Sequence, residues 1–137
     1  MGPHLSKKQV IAAVIQQGEK FLLGKRSPHK LSAPGYWCPV SGGIEAGETQ
    51  AEAVVREVYE EVGLKVRTLR KIGEFPTHDE TALIHWWTVE VLEGVPYLKN
   101  NEHTDFGWFT PTEMWSLDKV FLEDIALVET LLKKISN

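Results

Sequence analysis

The sequence predicts an α+β fold in which helices pack on a mixed β-sheet. Two short apolar runs near the start, residues 10–15 and 21–23, predict a hairpin around a Gln-Gly-Glu turn. An amphipathic helix follows, then two long strand-like segments, and a second amphipathic helix closes the chain. This order of strand, strand, helix, strands and helix is typical of helices layered against a sheet.

The size and composition of the chain indicate one domain. Its 137 residues are 42% hydrophobic and 25% charged, which is enough for a buried core, and they contain no repeats or linkers. We take residues 1–137 as that single domain. Residues 1–7 are expected to be disordered or derived from an expression tag.

Charge, cysteine content and hydropathy limit the partners. The net charge of -4 argues against general nucleic-acid binding, which needs a basic excess. The single Cys38 rules out an internal disulfide framework and suits the reducing cytoplasm, where we expect the protein to act. No apolar run is long enough for a transmembrane helix, so no membrane partner is expected.

Outside the first helix, prolines, glycines and alternating residues divide the chain. Residues 27–36 hold two prolines and a glycine and predict a loop, after which residues 37–41 predict an extended piece. Trp86 and Trp87 are consecutive in a predicted strand and must point to opposite faces. The other predicted elements are strands at 64–74, 82–92 and 106–109, a loop at 76–80, a helical turn from Pro111, and a C-terminal helix marked by Leu122, Ile125, Val128, Leu132 and Ile135.

The first helix has the clearest boundaries. Thr49 followed by Glu52 is a capping-box pattern, which predicts that the helix begins at about Gln50. Gly63 can adopt the left-handed conformation that ends a helix. The carboxylates are expected on the flank opposite the buried stripe, toward the preceding glycine loop. That stripe consists of Ala53, Val54, Val58 and Val62.

Three glutamates crowd one part of this helix. Residues three and four apart are helix neighbours, so Glu57 lies near both Glu60 and Glu61. Like charges at these spacings destabilise an isolated helix by roughly 0.2–0.5 kcal/mol per pair. Such repulsion indicates a bound hard cation, because Mg²⁺ is held by a few carboxylates together with substrate phosphates. A solvated acidic face is the alternative interpretation of these three residues taken alone.

The segment from Gly42 to Leu64, GGIEAGETQAEAVVREVYEEVGL, resembles the signature of the Nudix hydrolases. That signature is G-x5-E-x7-R-E-U-x-E-E-x-G-U, with U aliphatic, and every fixed position is matched. Two shorter segments add weaker similarities. Residues 37–42 look like a run in dihydroneopterin triphosphate pyrophosphatases, and the Glu102-His103 pair is similar to one in diadenosine tetraphosphate hydrolases. The signature residues are Gly42, Glu48, Arg56, Glu57, Val58, Glu60, Glu61, Gly63 and Leu64.

The resemblance implies a fold and an activity. The fold would be the Nudix α/β/α sandwich, with the mixed sheet between helices. The activity would be a pyrophosphohydrolase that depends on Mg²⁺, with Mn²⁺ as an alternative. It would cleave a phosphoanhydride bond of a nucleoside diphosphate linked to another group, as in a nucleoside triphosphate or a dinucleoside polyphosphate. The alternatives are a nucleotide-sugar hydrolase and a non-catalytic nucleotide-binding module. The partner would be a small nucleotide, and the sequence leaves monomer or homodimer open.

Within the signature, the resemblance also implies roles for individual residues. Metal ligands are expected at Glu57, Glu60 and Glu61, with the backbone of Gly42 close to the cation. Arg56 is expected to organise the active site, and catalytic roles are expected for Glu60 and Arg56. The loop and boundary positions of the signature are Gly43, Gly47, Glu48 and Gly63.

Outside the signature, two further residues are candidates. Glu102 is the expected base that deprotonates the attacking water, with Glu60 or Glu61 as the alternative. Arg26 is expected to contact substrate phosphates, since a guanidinium makes two-pronged contacts with them. An exposed charge without function is the alternative for Glu102 and for Arg26. No role is assigned to His29, His78, His85 or His103, which show no metal-ligand spacing.

Overall fold

The computed structural model describes residues 7–136, and their side chains as far as Lys133. Residues 1–7 were predicted to be disordered or derived from an expression tag. Of these, residues 1–6 lie outside the described residues, and only Lys7 is described. The described elements are β1 (Lys8–Gln17), β2 (Lys20–Arg26), β3 (Trp37–Cys38), β4 (Val40–Gly43), α1 (Gln50–Val62), β5 (Lys65–Pro76), β6 (Ala82–Glu93), β7 (His103–Phe109), α2 (Pro111–Met114) and α3 (Leu122–Ser136).

Strand β1 lies at the centre of a mixed sheet. It pairs in parallel with β6, where Ile11 lies opposite His85, and antiparallel with β4 and β2. Strand β5 continues the sheet beyond β6, while β3 and β7 both pair with β2. The sheet contains both parallel and antiparallel pairs, so the predicted α+β class is confirmed.

The two faces of β1 build two separate cores, because successive side chains of a strand point to opposite faces. Ile11 and Ile15 pack with α1 in one apolar cluster. Ala12 and Val14 pack in the other with Ile125, a residue of α3. The sheet is therefore covered by a helix on each side, which confirms the expected α/β/α sandwich.

The boundaries of α1 agree with the prediction. The Thr49 side chain accepts from the backbone N–H of Glu52 at 3.1 Å, and the Glu52 side chain accepts from the backbone N–H of Thr49 at 2.8 Å. Gly63 ends the helix in the left-handed region with φ of 75°. A Cβ at Gly63 would also lie 2.3 Å from the Tyr97 ring, so a larger residue would have to displace that ring.

Several strands differ from their predicted ranges. The extended piece at 37–41 is two strands, because Pro39 lacks the N–H that a continuous strand needs. Its first half pairs with β2 and its second half with β1. Strand β7 begins at His103 rather than at Phe106. The longer β7 places Glu102 directly before a strand that is anchored to β2.

The aromatic and C-terminal predictions are confirmed in part. Trp86 and Trp87 belong to opposite clusters, as predicted for consecutive strand residues. In α3, Ile125 and Val128 are buried, whereas Leu122 is 57% exposed at the start of the helix. The predicted stripe was wrong at Leu122, because this first residue of α3 lies on the exposed side of the helix. The side chain predicted at position 135 lies outside the described side chains.

Candidate metal centre

Arg56 connects the glycine loop to α1. Its Nε and Nη2 donate to the two carboxylate oxygens of Glu48 at 2.6 and 2.8 Å. Nη2 also donates to the carbonyl oxygen of Gly43 at 2.9 Å. A guanidinium that faces a carboxylate in this two-pronged way fixes both orientation and distance. These contacts lower the pKa of Glu48 to about 2 and hold residues 43–48 against the helix.

The other arm of Arg56 reaches two of the three crowded glutamates. Its Nη1 donates to Glu57 Oε1 at 2.7 Å and to Glu60 Oε2 at 3.1 Å. The positive charge of the Arg56 guanidinium therefore offsets part of the repulsion between these carboxylates. Among the described ion pairs, Arg56 makes no contact with Glu61.

Glu57 is buried against the glycine loop. Only 8% of the residue is exposed, and burial raises its pKa to about 7, with Glu61 and Glu60 adding to the effect and Arg56 opposing it. A Cβ at Gly42 would lie 1.7 Å from Glu57 Oε2. Position 42 must therefore be glycine if this carboxylate is to reach the loop backbone.

Glu61 has a different neighbour. It is also 8% exposed, and its Oε2 is fully buried without a hydrogen-bond partner among the described residues. His103 Nδ1 lies 3.3 Å away and likewise lacks such a partner. Strand β7 thus brings a histidine that received no role in the sequence analysis directly against a predicted metal ligand.

The three glutamates do not share one exposed flank, which corrects the expectation from the helix pattern. Glu57 and Glu61 continue the buried stripe, because they lie one helical turn from Val54 and Val58. Glu60 lies outside this stripe with a side chain that is 51% exposed. The carboxylates therefore line the edge of the core rather than the opposite face of the helix.

The residues present fit a hard divalent ion. Among the residues that the structure describes, no three His, Cys, Asp or Glu side chains already converge as a set of ligands. However, Glu57 and Glu61 bring two carboxylates to the edge of the core, and Gly42 leaves room for one of them beside the loop backbone. Carboxylate and carbonyl oxygens are the donors that Mg²⁺ and Mn²⁺ prefer.

Glu102 occupies a turn that is tied to both α1 and β2. Its backbone N–H donates to Asn100 Oδ1 at 2.9 Å, while Asn100 Nδ2 donates to the carbonyl oxygen of Glu60 at 3.3 Å. The Glu102 carboxylate forms an ion pair with Lys30, which lowers its pKa. The expected base is thus ionised near neutral pH, and its partner Lys30 was not identified from the sequence.

Arg26 stands at the end of β2, where the loop 27–36 leaves the sheet. Its Nε donates to the carbonyl oxygen of Ser32 at 2.9 Å, and its backbone N–H donates to the carbonyl oxygen of Tyr36 at 2.8 Å. The structure therefore shows Arg26 closing its own loop. Its expected contact with substrate phosphates stays a prediction.

Two largely buried residues, one at the site and one in α3, lacked a usable signal in the sequence. His103 was visible only as half of a Glu-His pair, and its contact with Glu61 depends on the pairing of β7 with β2. Asp124 lies in the first turn of α3, where burial, and to a lesser extent Glu123, raises its pKa to about 7. It also raises the pKa of Cys38, which burial alone already lifts strongly, to about 12. Nothing in the local sequence distinguishes Asp124 from an ordinary acidic residue in the first turn of a helix.

Comparison with known protein families decides the family. A family model described as the NUDIX domain matches residues 6–131. The chain belongs to the NUDIX domain family. Arg56, the glycine loop and the three glutamates of α1 all lie inside the matched range. Among the described residues of this NUDIX domain, no helix is long and apolar enough to cross a membrane.

Curated relatives of this NUDIX domain differ in length. The NAD-capped RNA hydrolase NudC of Haemophilus influenzae is 29% identical over 100 residues, which cover 73% of this chain and 38% of that protein. The chain thus spans about two fifths of the length of such NudC relatives. The CTP pyrophosphohydrolase of Escherichia coli (strain K12) is 31% identical over 111 residues, with 77% of each chain covered.

Solved structures give the same fold. A MutT protein from Methanosarcina mazei Go1 matches with a TM-score of 0.81 over 96% of each chain at 19% identity, which shows the fold alone. The solution structure of the E. coli ORF135 protein matches with a TM-score of 0.68 at 28% identity, covering 96% of this NUDIX domain and 94% of that chain.

Proposed function

We propose that this NUDIX domain is a Mg²⁺-dependent pyrophosphohydrolase acting on a nucleoside diphosphate linked to another group. The observation that carries this proposal is the pair of buried carboxylates, Glu57 beside the Gly42 backbone and Glu61 one helical turn further along α1. Burying such charges is costly unless they are paired or bind a cation. Arg56 reaches Glu57 but not Glu61, so the pair retains negative charge for a divalent ion.

A nucleoside triphosphate is the preferred substrate class, with dinucleoside polyphosphates second. The E. coli protein named CTP pyrophosphohydrolase is similar to this chain, and the match covers 77% of each of the two chains. The NudC relatives support an additional candidate outside this ranking, the capped end of an RNA, but they match over only 38% of their length. A nucleotide sugar remains the third class. A non-catalytic binding module is disfavoured because every signature glutamate is present.

The residues divide the work of hydrolysis. Bound divalent ions would supply charge neutralisation at the phosphates and a lowered pKa for water. Glu57, Glu60 and Glu61 would hold these ions, with the backbone of Gly42 nearby. Arg56 keeps Glu57 and Glu60 in place. Glu102 would accept the proton of the attacking water. Its ion pair with Lys30 lowers the pKa of this carboxylate, which makes it a weaker base but holds it in one place.

The proposal also gives Arg26 a role in substrate binding and gives the protein a cellular location. The Nη atoms of Arg26 would contact substrate phosphates while its Nε stays on Ser32. The cytoplasm is the proposed location because Cys38 is a free thiol in the described chain. A small nucleotide is the proposed partner, and the protein would act as a monomer or homodimer.

The test combines a substrate panel with one matched pair of variants. Purified protein is assayed with Mg²⁺ against nucleoside triphosphates, dinucleoside polyphosphates, nucleotide sugars and NAD-capped RNA, and released phosphate and pyrophosphate are measured. Glu60→Gln should lower kcat by about 100-fold or more, because a neutral amide is a poor ligand for a hard cation.

Glu90→Gln is the control for that variant. Glu90 is 48% exposed and paired with Arg67, much as Glu60 is 51% exposed and paired with Arg56. The Glu90→Gln variant should turn over substrate at the rate of the parent protein. If Glu60→Gln keeps full activity, the metal assignment is wrong, and if no substrate in the panel is cleaved, the catalytic proposal fails.

A further inference from the structure

The ring of His103 is held firmly in the sheet. The residue is 8% exposed and lies opposite Arg26 in the pairing of β7 with β2. A Cβ at Gly24 would lie 2.5 Å from the Cδ2 atom of His103, so the ring covers that glycine directly. The Phe106 ring lies at a centroid distance of 5.0 Å on another side. Few other orientations are open to the imidazole.

In this orientation His103 faces Glu61. Its Nδ1 is 3.3 Å from Glu61 Oε2, and both atoms are fully buried with no hydrogen-bond partner among the described residues. The approach lacks the alignment of a hydrogen bond, but a small rotation of the carboxylate would supply it. Two buried polar atoms that face each other in this way favour a donor and acceptor pair.

Glu61 is also the member of the acidic trio that needs such a donor. Arg56 orients Glu57 and Glu60 through its Nη1 atom. Glu61 has no arginine or lysine partner among the described ion pairs. Without His103, its carboxylate would be free to rotate away from an incoming cation.

We propose, building on the function proposed above, that His103 is a positioning residue that donates from Nδ1–H to Glu61 Oε2. The second oxygen of Glu61 is then turned toward the divalent ion. Groups that hold a ligand from behind in this way raise metal affinity and fix ligand orientation. His103 itself does not touch the metal or the substrate.

Two substitutions separate this role from packing. His103→Asn keeps an N–H donor close to the position of Nδ1, whereas His103→Leu fills space without a donor. Mn²⁺ binding to the nucleotide-free protein is measured by electron paramagnetic resonance, and kcat and KM are measured on the preferred nucleotide. His103→Leu should weaken Mn²⁺ binding by about 10-fold or more and lower kcat similarly. Neither variant should change KM by more than about twofold, because His103 does not bind the nucleotide.

The asparagine variant and a double variant complete the test. His103→Asn should keep Mn²⁺ affinity within about threefold of the parent protein, since its amide restores the donor. In a Glu61→Gln background, His103→Leu should cause no further loss of Mn²⁺ binding, because the carboxylate ligand that His103 orients is already gone. Equal losses in the leucine and asparagine variants, or additive losses with Glu61→Gln, would overturn the inference.

Two outcomes distinguish this inference from the proposed function. If Glu61→Gln binds Mn²⁺ as tightly as the parent protein, the proposed metal site itself is wrong. If Glu61→Gln loses Mn²⁺ while His103→Leu does not, the site stands and the role of His103 is rejected. ¹⁵N NMR of the metal-free parent protein adds a test that needs no variant: the His103 ring should carry a proton on Nδ1, and a ring without it contradicts the inference.

Discussion

At the scale of single residues, Gly42 shows how the absence of a side chain shapes the site. Its place in the signature was visible in the sequence, but the reason for it was not. In the structure, the Glu57 carboxylate occupies the space where a Cβ would stand. A glycine can therefore be needed for what packs against it, even where its backbone conformation is ordinary.

Gly42→Ala should strongly reduce metal-dependent turnover. The added methyl would meet Glu57 Oε2 at 1.7 Å, so the carboxylate must leave the loop. We expect kcat to fall by about 100-fold and the free energy of unfolding to fall by about 1–3 kcal/mol, as for other overpacked sites. Activity assays and urea denaturation measure the two effects.

Gly43→Ala is the matched control. The nearest atom to its new Cβ is Lys8 Cε at 3.2 Å, and a flexible lysine side chain can move aside. This neighbouring variant should keep activity within about threefold and stability within about 0.5 kcal/mol, because only the mobile Lys8 side chain has to move. Equal losses in both variants would contradict the role of Gly42.

Residue types at the site could be predicted, whereas their orientation could not. Glu57, Glu60 and Glu61 stand out because of their spacing. The burial of Glu57 and Glu61 depends on what α1 packs against, and a helical pattern cannot show that. The contact between His103 and Glu61 joins residues 42 positions apart and exists only because β7 pairs with β2.

At the scale of elements, local signals worked best where the chain makes local hydrogen bonds. Helix α1 begins and ends where Thr49, Glu52 and Gly63 predict, because caps are formed by residues a few positions apart. The split of residues 37–41 into β3 and β4 was missed. Each half has a different partner strand, and pairing between distant segments leaves little trace in local sequence.

Helix α3 contains a buried acid whose ionisation should cost stability. The pKa of Asp124 is raised from 3.8 to about 7 in the folded chain, so the folded state holds its proton more tightly than the unfolded state. Stability should therefore fall as the pH rises from 3.8 to about 7 and stay reduced above that. Asp124→Asn removes this pH dependence.

We expect Asp124→Asn to raise the free energy of unfolding by about 1–2 kcal/mol at pH 8, after allowing for partial exposure and the favourable helix dipole. At pH 4 and below, the variant and the parent protein should be equally stable. Glu123→Gln, at a side chain that is 71% exposed, should show a much smaller gain, because Glu123 is only the lesser cause of the raised pKa of Asp124. Thermal unfolding at both pH values measures this, and a gain that is independent of pH would contradict it.

At the scale of the whole molecule, the mixed sheet could be predicted as a class but not as a topology. The resemblance supplied the sandwich, while the order of predicted elements supplied only the layered α+β class. The parallel pairing of β1 with β6 joins Lys8 to Ala82 across most of the chain. No local pattern encodes which strand lies at the centre, because that choice depends on how both faces of β1 are covered.

Metal binding should stabilise the entire fold. A ligand that binds only the folded state at 100 times its Kd adds about 2.7 kcal/mol. For a chain of this length, such a gain raises Tm by on the order of 10 °C. Calorimetry with Mn²⁺ and with a chelator should show this shift in the parent protein and in Glu90→Gln. The shift should be lost in Glu61→Gln, and an unchanged shift there would exclude Glu61 as a ligand.

The inward turn of Glu57 and Glu61 makes α1 a compromise between folding and chemistry. Both positions lie where a helix that served only to close the core would carry leucine or methionine. In a mutant library selected for heat tolerance alone, these two acids should therefore be replaced early. The selected variants should be more heat-stable and catalytically inactive. A library selected for heat tolerance and turnover together should instead improve positions far from this helix.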